Sequence, residues 1–405
     1  MNGQTSAKQK NGSVELLRFV FTSIVIFFHI NLDLWDQKKV VAVIRDVPVT
    51  FFSHGNIGVE FFFIVTGWLM AKTIYSRYIQ PGNSLQKGIS AASVSGAAGS
   101  GSAAPTGAAG EKETDLLTET LQFAGHKARA IFPYYLLACA LTPVVRLMVN
   151  RTLTAQYFLD RLPSLLLLQR VGLGKPFIGC TWYLSSMILA LLVVYPLCRR
   201  FYHAFTLFAA PVLCALLLGA IIVFTGSLGD IEDWFLFTYK TNIRAFAEIS
   251  MGTTAFELSR RIRGRVRSSA VRMLLTVTAL TCLALSLAYM CSAMDGGAGL
   301  AVFYLLFVLV VISFSGEGML CHAGLFSRPV FSFLGKISLP MYVMQTLFRR
   351  MVPCYFDKTS QWTQCLLIYL GILGFSVSLH ILSANMHRIP APALRTRLRR
   401  RTSHA

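Results

Sequence analysis

Residues Val14 to Leu34 read VELLRFVFTSIVIFFHINLDL, an apolar run of membrane-span length that carries Glu15, Arg18 and His29 on one side of a helix. At 100° per residue, Arg18 and His29 fall within about 20° of each other, and at 1.5 Å rise per residue they stand about 16 Å apart along the axis. Glu15 lies about 40° off the same line, one turn before Arg18. Ionisable groups inside a span are costly unless paired or hydrated, so a polar stripe of this kind marks a functional site.

The rest of the chain agrees with a membrane helix at its start. Of 405 residues, 54% are hydrophobic and 14% charged, and the mean hydropathy is +0.57. That composition excludes a soluble globule and predicts an all-α, polytopic membrane protein whose main partner is lipid. Apolar runs recur near 14–34, 56–75, 130–149, 182–198, 204–225, 241–258, 271–291, 298–315, 330–348 and 364–386, about ten transmembrane helices in a single membrane domain, 1–405. The first run is of full span length and lacks a small-residue cleavage site, so it is expected to stay as a helix.

A formal charge of +20 would suggest nucleic acid in a soluble protein. Here no nucleic-acid-reading motif accompanies it, and the basic residues cluster between spans, so the positive-inside rule explains the charge and places both termini in the cytoplasm. Lys38, Lys39, Arg349 and Arg350 run against that bias. Residues 81–112 form a Gly/Ala/Ser-rich tract expected to be a flexible cytoplasmic insert. The tail, 387–405, is basic and suited to anionic head groups. The run Leu162 to Leu168 is too short to cross and predicts an interfacial or re-entrant segment. Nine cysteines without a CxxC or Cys/His pair predict no metal site.

Four motifs occur in order along the chain. VELLRFVFTSIVIFFHI holds an acid, an Arg three residues later and a His eleven beyond it. GVEFFFIVTGWLM follows, with Gly58, Val59, Glu60, Phe62, Phe63, Thr66, Gly67 and Leu69, then TWYLSSMILALLVVYPL with Trp182 to Ser185, then FLGKISLPMYVM with Gly335, Lys336, Ser338 and Tyr342. Together they resemble the acyltransferase-3 family of integral membrane O-acyltransferases. The chain departs from the family pattern at Trp68 in place of Phe, at GHKARAIFPYY, where Lys127 and Ala130 stand in the positions of an Arg pair and Arg129 is displaced by one, and at Gln345, where many members have His.

The resemblance implies transfer of an acyl group, acetyl in expectation, from cytoplasmic acyl-coenzyme A to a hydroxyl of a carbohydrate or glycolipid acceptor, in a bacterial inner membrane. His29 would act on that hydroxyl as general base, or carry the acyl group as nucleophile. Glu60 would support His29 from the second helix as the acid of a triad does. Arg18, oriented by Glu15, would bind the donor's phosphates together with Lys127 and Arg129. Trp182 and Tyr183 are candidates for stacking on a sugar, or an interfacial aromatic belt. Arg244 and Glu248, an i, i+4 pair, would form a polar wall of the acceptor cavity, or a structural pair only. The competing class is a non-enzymatic transporter or flippase for a lipid-linked glycan, with the polar stripe as its path.

Overall fold

A long helix stands at each of the ten expected positions. The computed structural model describes residues 11–36, 39–44, 47–80, 108–149, 152–229, 232–293, 296–322, 326 and 328–386. The long helices are α1 (Gly12–Trp35), α2 (Gly58–Ile74), α3 (Ala108–Met148), α4 (Trp182–Arg200), α5 (Ala210–Thr225), α6 (Lys240–Ile262), α7 (Ser269–Met290), α8 (Gly299–Ser315), α9 (Pro329–Tyr355) and α10 (Gln361–Met386). Of the tract 81–112, residues 81–107 lie outside the described residues and 108–112 open α3; the tail 387–405 also lies outside them. Helix α3 begins well before its apolar part, where residues 111–122 hold three Glu and three Leu, good helix formers in water as well as in lipid.

Seven helical segments among the described residues are long and apolar enough to cross a membrane. Helix α8 is too short for that test at 17 residues. Helices α6 and α9 also fall outside it, and both carry several charges: Lys240, Arg244, Glu248 and Glu257 on α6, and Lys336, Arg349 and Arg350 on α9. Burial sorts the others. In the apolar windows that include α1, α2 and α4, 61%, 78% and 67% of residues are buried within the protein, against 22% for those of α5, α7 and α10, which therefore form a lipid-facing rim.

Helix α6 is the least apolar of the long helices yet is largely buried, packed by α2, α4, α5 and α8. Its polar side chains tolerate that place because they bond one another and because α2 comes unusually near. A Cβ at Gly67 would stand 1.9 Å from the Ile249 carbonyl oxygen, and one at Gly252 would stand 2.2 Å from that of Ile64. Small residues on facing helices are what allow backbones to touch in a membrane. Beside this crossing the Trp68 indole N–H donates to the Ser259 hydroxyl at 2.8 Å, a bond that Phe at that position lacks.

Among the described residues two short hairpins stand between the helices. Strands β1 (Val40–Ile44) and β2 (Val47–Thr50) pair antiparallel between α1 and α2, and β3 (Trp234–Phe235) pairs with β4 (Thr238–Tyr239) before α6. The first hairpin is fastened to the turn after α7: Thr50 N–H donates to the Cys291 carbonyl at 2.7 Å, and the hydroxyls of Thr50 and Ser53 donate to that of Ser292 at 3.1 and 3.2 Å. The run Leu162–Leu166 folds as a short 3₁₀ helix, consistent with a segment that does not cross.

Candidate active site

The polar stripe of α1 divides between two environments. At its N-terminal end, Arg18 Nη1 donates to Glu15 Oε2 at 2.9 Å. Glu15 is nearly buried against α9, where Gly335 leaves it room: a Cβ there would meet Glu15 Oε2 at 1.7 Å. The glycine of the GKIS segment thus serves the acid of the first helix. Lys127 on α3 is half-buried and within electrostatic reach of Arg18. Arg129 lies about 200° round the helix from Lys127 and is exposed, so the structure brings Lys127 toward Arg18 and turns Arg129 away.

At the other end a cavity of about 990 Å³ opens between α1, α2, α6, α9 and the first hairpin. His29 lines it, with Nδ1 at 2.8 Å from the Val25 carbonyl oxygen. A carbonyl only accepts, so in the neutral imidazole the proton sits on Nδ1 and Nε2 keeps its lone pair. Gln345 stands beside the ring. Its Nε2 donates to the Tyr342 carbonyl at 2.9 Å, while its Oε1 is buried without a hydrogen bond among the described residues. The Tyr342 hydroxyl donates to the Cys180 carbonyl, which ties this part of α9 to the start of α4.

Glu60 lines the same cavity and is fully buried, but its hydrogen-bond partner is Arg244, not His29. Arg244 donates to Glu60 Oε1 at 3.1 Å, to Glu248 Oε1 at 3.2 Å and to the Leu228 carbonyl at 2.5 Å. One guanidinium thus joins two carboxylates on two helices, and the i, i+4 pair seen in the sequence is half of a three-residue cluster. The expected Glu60–His29 contact is not among the described hydrogen bonds. The sequence separation of Glu60 from Arg244 hides this partnership, and the facing glycines Gly67 and Gly252 on the same two helices are its one local sign.

Trp182 lines the cavity, whereas Tyr183 does not. A step of 100° turns Tyr183 toward α2, where its ring packs 4.7 Å from that of Phe63 and 5.9 Å from that of Tyr342. Two further cavity residues, Arg349 and Arg350, come from the charges that run against the positive-inside bias. Arg349 holds Asp33 with two hydrogen bonds, Nε to Oδ2 at 2.6 Å and Nη2 to Oδ1 at 2.8 Å, and Arg350 follows it on the rim. No cluster of three or more His, Cys, Asp or Glu able to hold a metal occurs among the described residues.

A polar stripe that runs from an Arg/Glu pair to a histidine in a large cavity, inside a helical membrane domain, suits acyl transfer. Neither curated proteins nor solved structures give a match to the chain. Residues 11–382, nearly the whole of it, match the family model described as an acyltransferase domain, and the chain therefore belongs to the acyltransferase-3 family of membrane acyltransferases.

Proposed function

We propose that the protein moves an acyl group, acetyl in the first instance, from acyl-coenzyme A to a hydroxyl of a carbohydrate or lipid-linked glycan. In this reading ten helices cross a bacterial inner membrane with both termini in the cytoplasm, and Arg18 faces that side with Arg199, Arg200, Arg260, Arg261 and Arg328. The observation that carries it is the placing of His29 on the cavity wall, its Nδ1 engaged by the Val25 carbonyl, while Arg18, at the far end of the same helix, has Lys127 within electrostatic reach. The axial separation of about 16 Å suits a donor lying along α1, with its phosphates at Arg18 and Lys127 and its thioester at His29.

His29 Nε2 takes the proton of the acceptor hydroxyl as its oxygen attacks the thioester carbonyl. The tetrahedral intermediate collapses with cleavage of the C–S bond, and the imidazolium returns the proton to the departing thiolate. The Val25 carbonyl keeps the ring in the tautomer this needs, and Gln345 Oε1, an acceptor, favours the imidazolium formed when Nε2 takes the proton. Arg244 and Trp182 present a polar and an aromatic surface to the acceptor, and Glu60 works through Arg244 as a positioning residue.

The test is transfer of labelled acetyl from acetyl-coenzyme A in proteoliposomes. His29→Ala should lower kcat by about 100-fold or more. Arg18→Ala should chiefly raise the donor KM. Full transfer by both correctly inserted variants would sink the proposal, and movement of a lipid-linked glycan without consumption of acyl donor would favour a flippase.

A further inference from the structure

The guanidinium of Arg350 lines the cavity from an exposed position on α9. It makes no hydrogen bond or ion pair with the other described residues. Among the described residues the charged side chains acting on it are Arg146, Arg349 and Asp33, which with its own makes three guanidinia to one carboxylate. Asp33 is already engaged two-pronged by Arg349.

The other acids among the described cavity residues do not offset the excess. Glu60 is bonded to Arg244, Glu232 accepts two hydrogen bonds from Arg170 at 2.9 and 3.2 Å, and Asp36 has a partner as well. Arg146 faces the Tyr157 ring at 4.6 Å, while Arg161 stands 4.0 Å from the same ring. Like charges gathered in this way repel one another unless an anion joins them. A guanidinium fork matches the paired oxygens of phosphate and carboxylate.

The position relative to His29 gives the cluster a purpose. Gln345, beside His29, and Arg349 are one helical turn apart on α9, about 6 Å in rise, and Arg350 is the next residue. We infer that Arg350, backed by Arg349 and Arg146, is a subsite for an oxyanion, phosphate or carboxylate, carried by the acceptor close to the hydroxyl that receives the acyl group. This rests on the acyl-transfer reading of the cavity and narrows it, since the acceptor becomes an acidic glycan or a glycosyl phosphate.

Binding separates the two ideas. The purified full-length protein in neutral detergent is titrated with methyl glucuronide, glucose 1-phosphate and uncharged methyl glucoside. The anionic sugars should bind more tightly, and Arg350→Gln should raise their Kd by about 10- to 100-fold with little effect on methyl glucoside. Arg350→Lys, which keeps the charge without the fork, should fall between, and Asp33→Asn, which releases Arg349, should tighten anion binding.

Equal affinity for the uncharged sugar, or anion binding indifferent to Arg350→Gln, overturns the inference. So does Arg350-dependent binding of phosphatidylglycerol micelles with none of either anionic sugar, which would give the cluster to lipid head groups. Arg350-dependent sugar binding in a wild-type protein that transfers no acetyl would overturn the catalytic reading and leave the anion site standing.

Discussion

Removing Arg244 isolates the contribution of the buried charge cluster. Its side chain is 3% exposed, and those of Glu60 and Glu248 are 0% exposed. In Arg244→Met both carboxylates lose their guanidinium and the Leu228 carbonyl loses its donor, at the buried edge of the cavity wall. Breaking a buried ion pair by deleting one partner costs about 3–5 kcal/mol, most of it the burden of the charge left behind, whereas replacing the whole group by uncharged residues is close to neutral. Arg244→Met should therefore lower the unfolding free energy by about 3–5 kcal/mol, and Glu60→Gln with Glu248→Gln in the same chain should restore at least half of that. The assay is denaturant unfolding in mixed micelles followed by the fluorescence of the buried Trp68 and Trp182. A single variant that loses under about 1 kcal/mol, or a triple variant no better than the single, would refute the view that Arg244 binds α2 to α6 through charge.

Gly335→Ala should push Glu15 off α9, free Arg18 from its partner and raise the donor KM while leaving acceptor KM unchanged; steady-state kinetics with each substrate varied would show it. Trp68→Phe, which restores the usual family residue, should cost about 1 kcal/mol through the lost bond to Ser259, and a double-mutant cycle with Ser259→Ala should recover that coupling. Cys354, exposed in the last turn of α9, should react in intact cells with a membrane-impermeant maleimide, because the proposed topology puts it outside. Cys321, whose thiol burial pushes up, should label only after lysis and slowly. The reverse pattern would invert the orientation.

Membrane helices are the most legible elements of any sequence, because apolar length alone specifies them, and all ten expected positions hold a helix. The polar helix α6 was legible too, since Ala, Ile, Phe and Met separate its charges. The hairpins were not: Val40–Ile44 and Val47–Thr50 have β-branched residues, but what fixes them is a turn more than two hundred residues later. At the site, spacing along α1 brought out Glu15, Arg18 and His29, and the Glu15–Arg18 bond is present. Spacing says nothing of which helices touch, so the bond between Glu60 and Arg244 is not legible in the sequence. Trp182 and Tyr183 differ by one 100° step, too fine a distinction for a span whose rotation is unknown. Arg349 and Arg350 were visible only as exceptions to a charge rule, and their place at the cavity accounts for the exception.

The central, sheathed position of α6 constrains how the protein is made. Arg or Asp at the middle of a helix opposes insertion by about 2.5–3.5 kcal/mol each on the translocon scale, so a segment carrying Arg244, Glu248 and Glu257 has little tendency to enter lipid by itself. Its shelter has to be at hand when it leaves the ribosome, and α2, α4 and α5 precede it in the chain while α8 follows. Biogenesis of this enzyme is thus a joint event in which earlier helices wait beside the translocon for a charged latecomer. A bulky residue at Gly67 would then be felt first as failed insertion of α6, degraded during synthesis, rather than as a full-length protein with a weakened core.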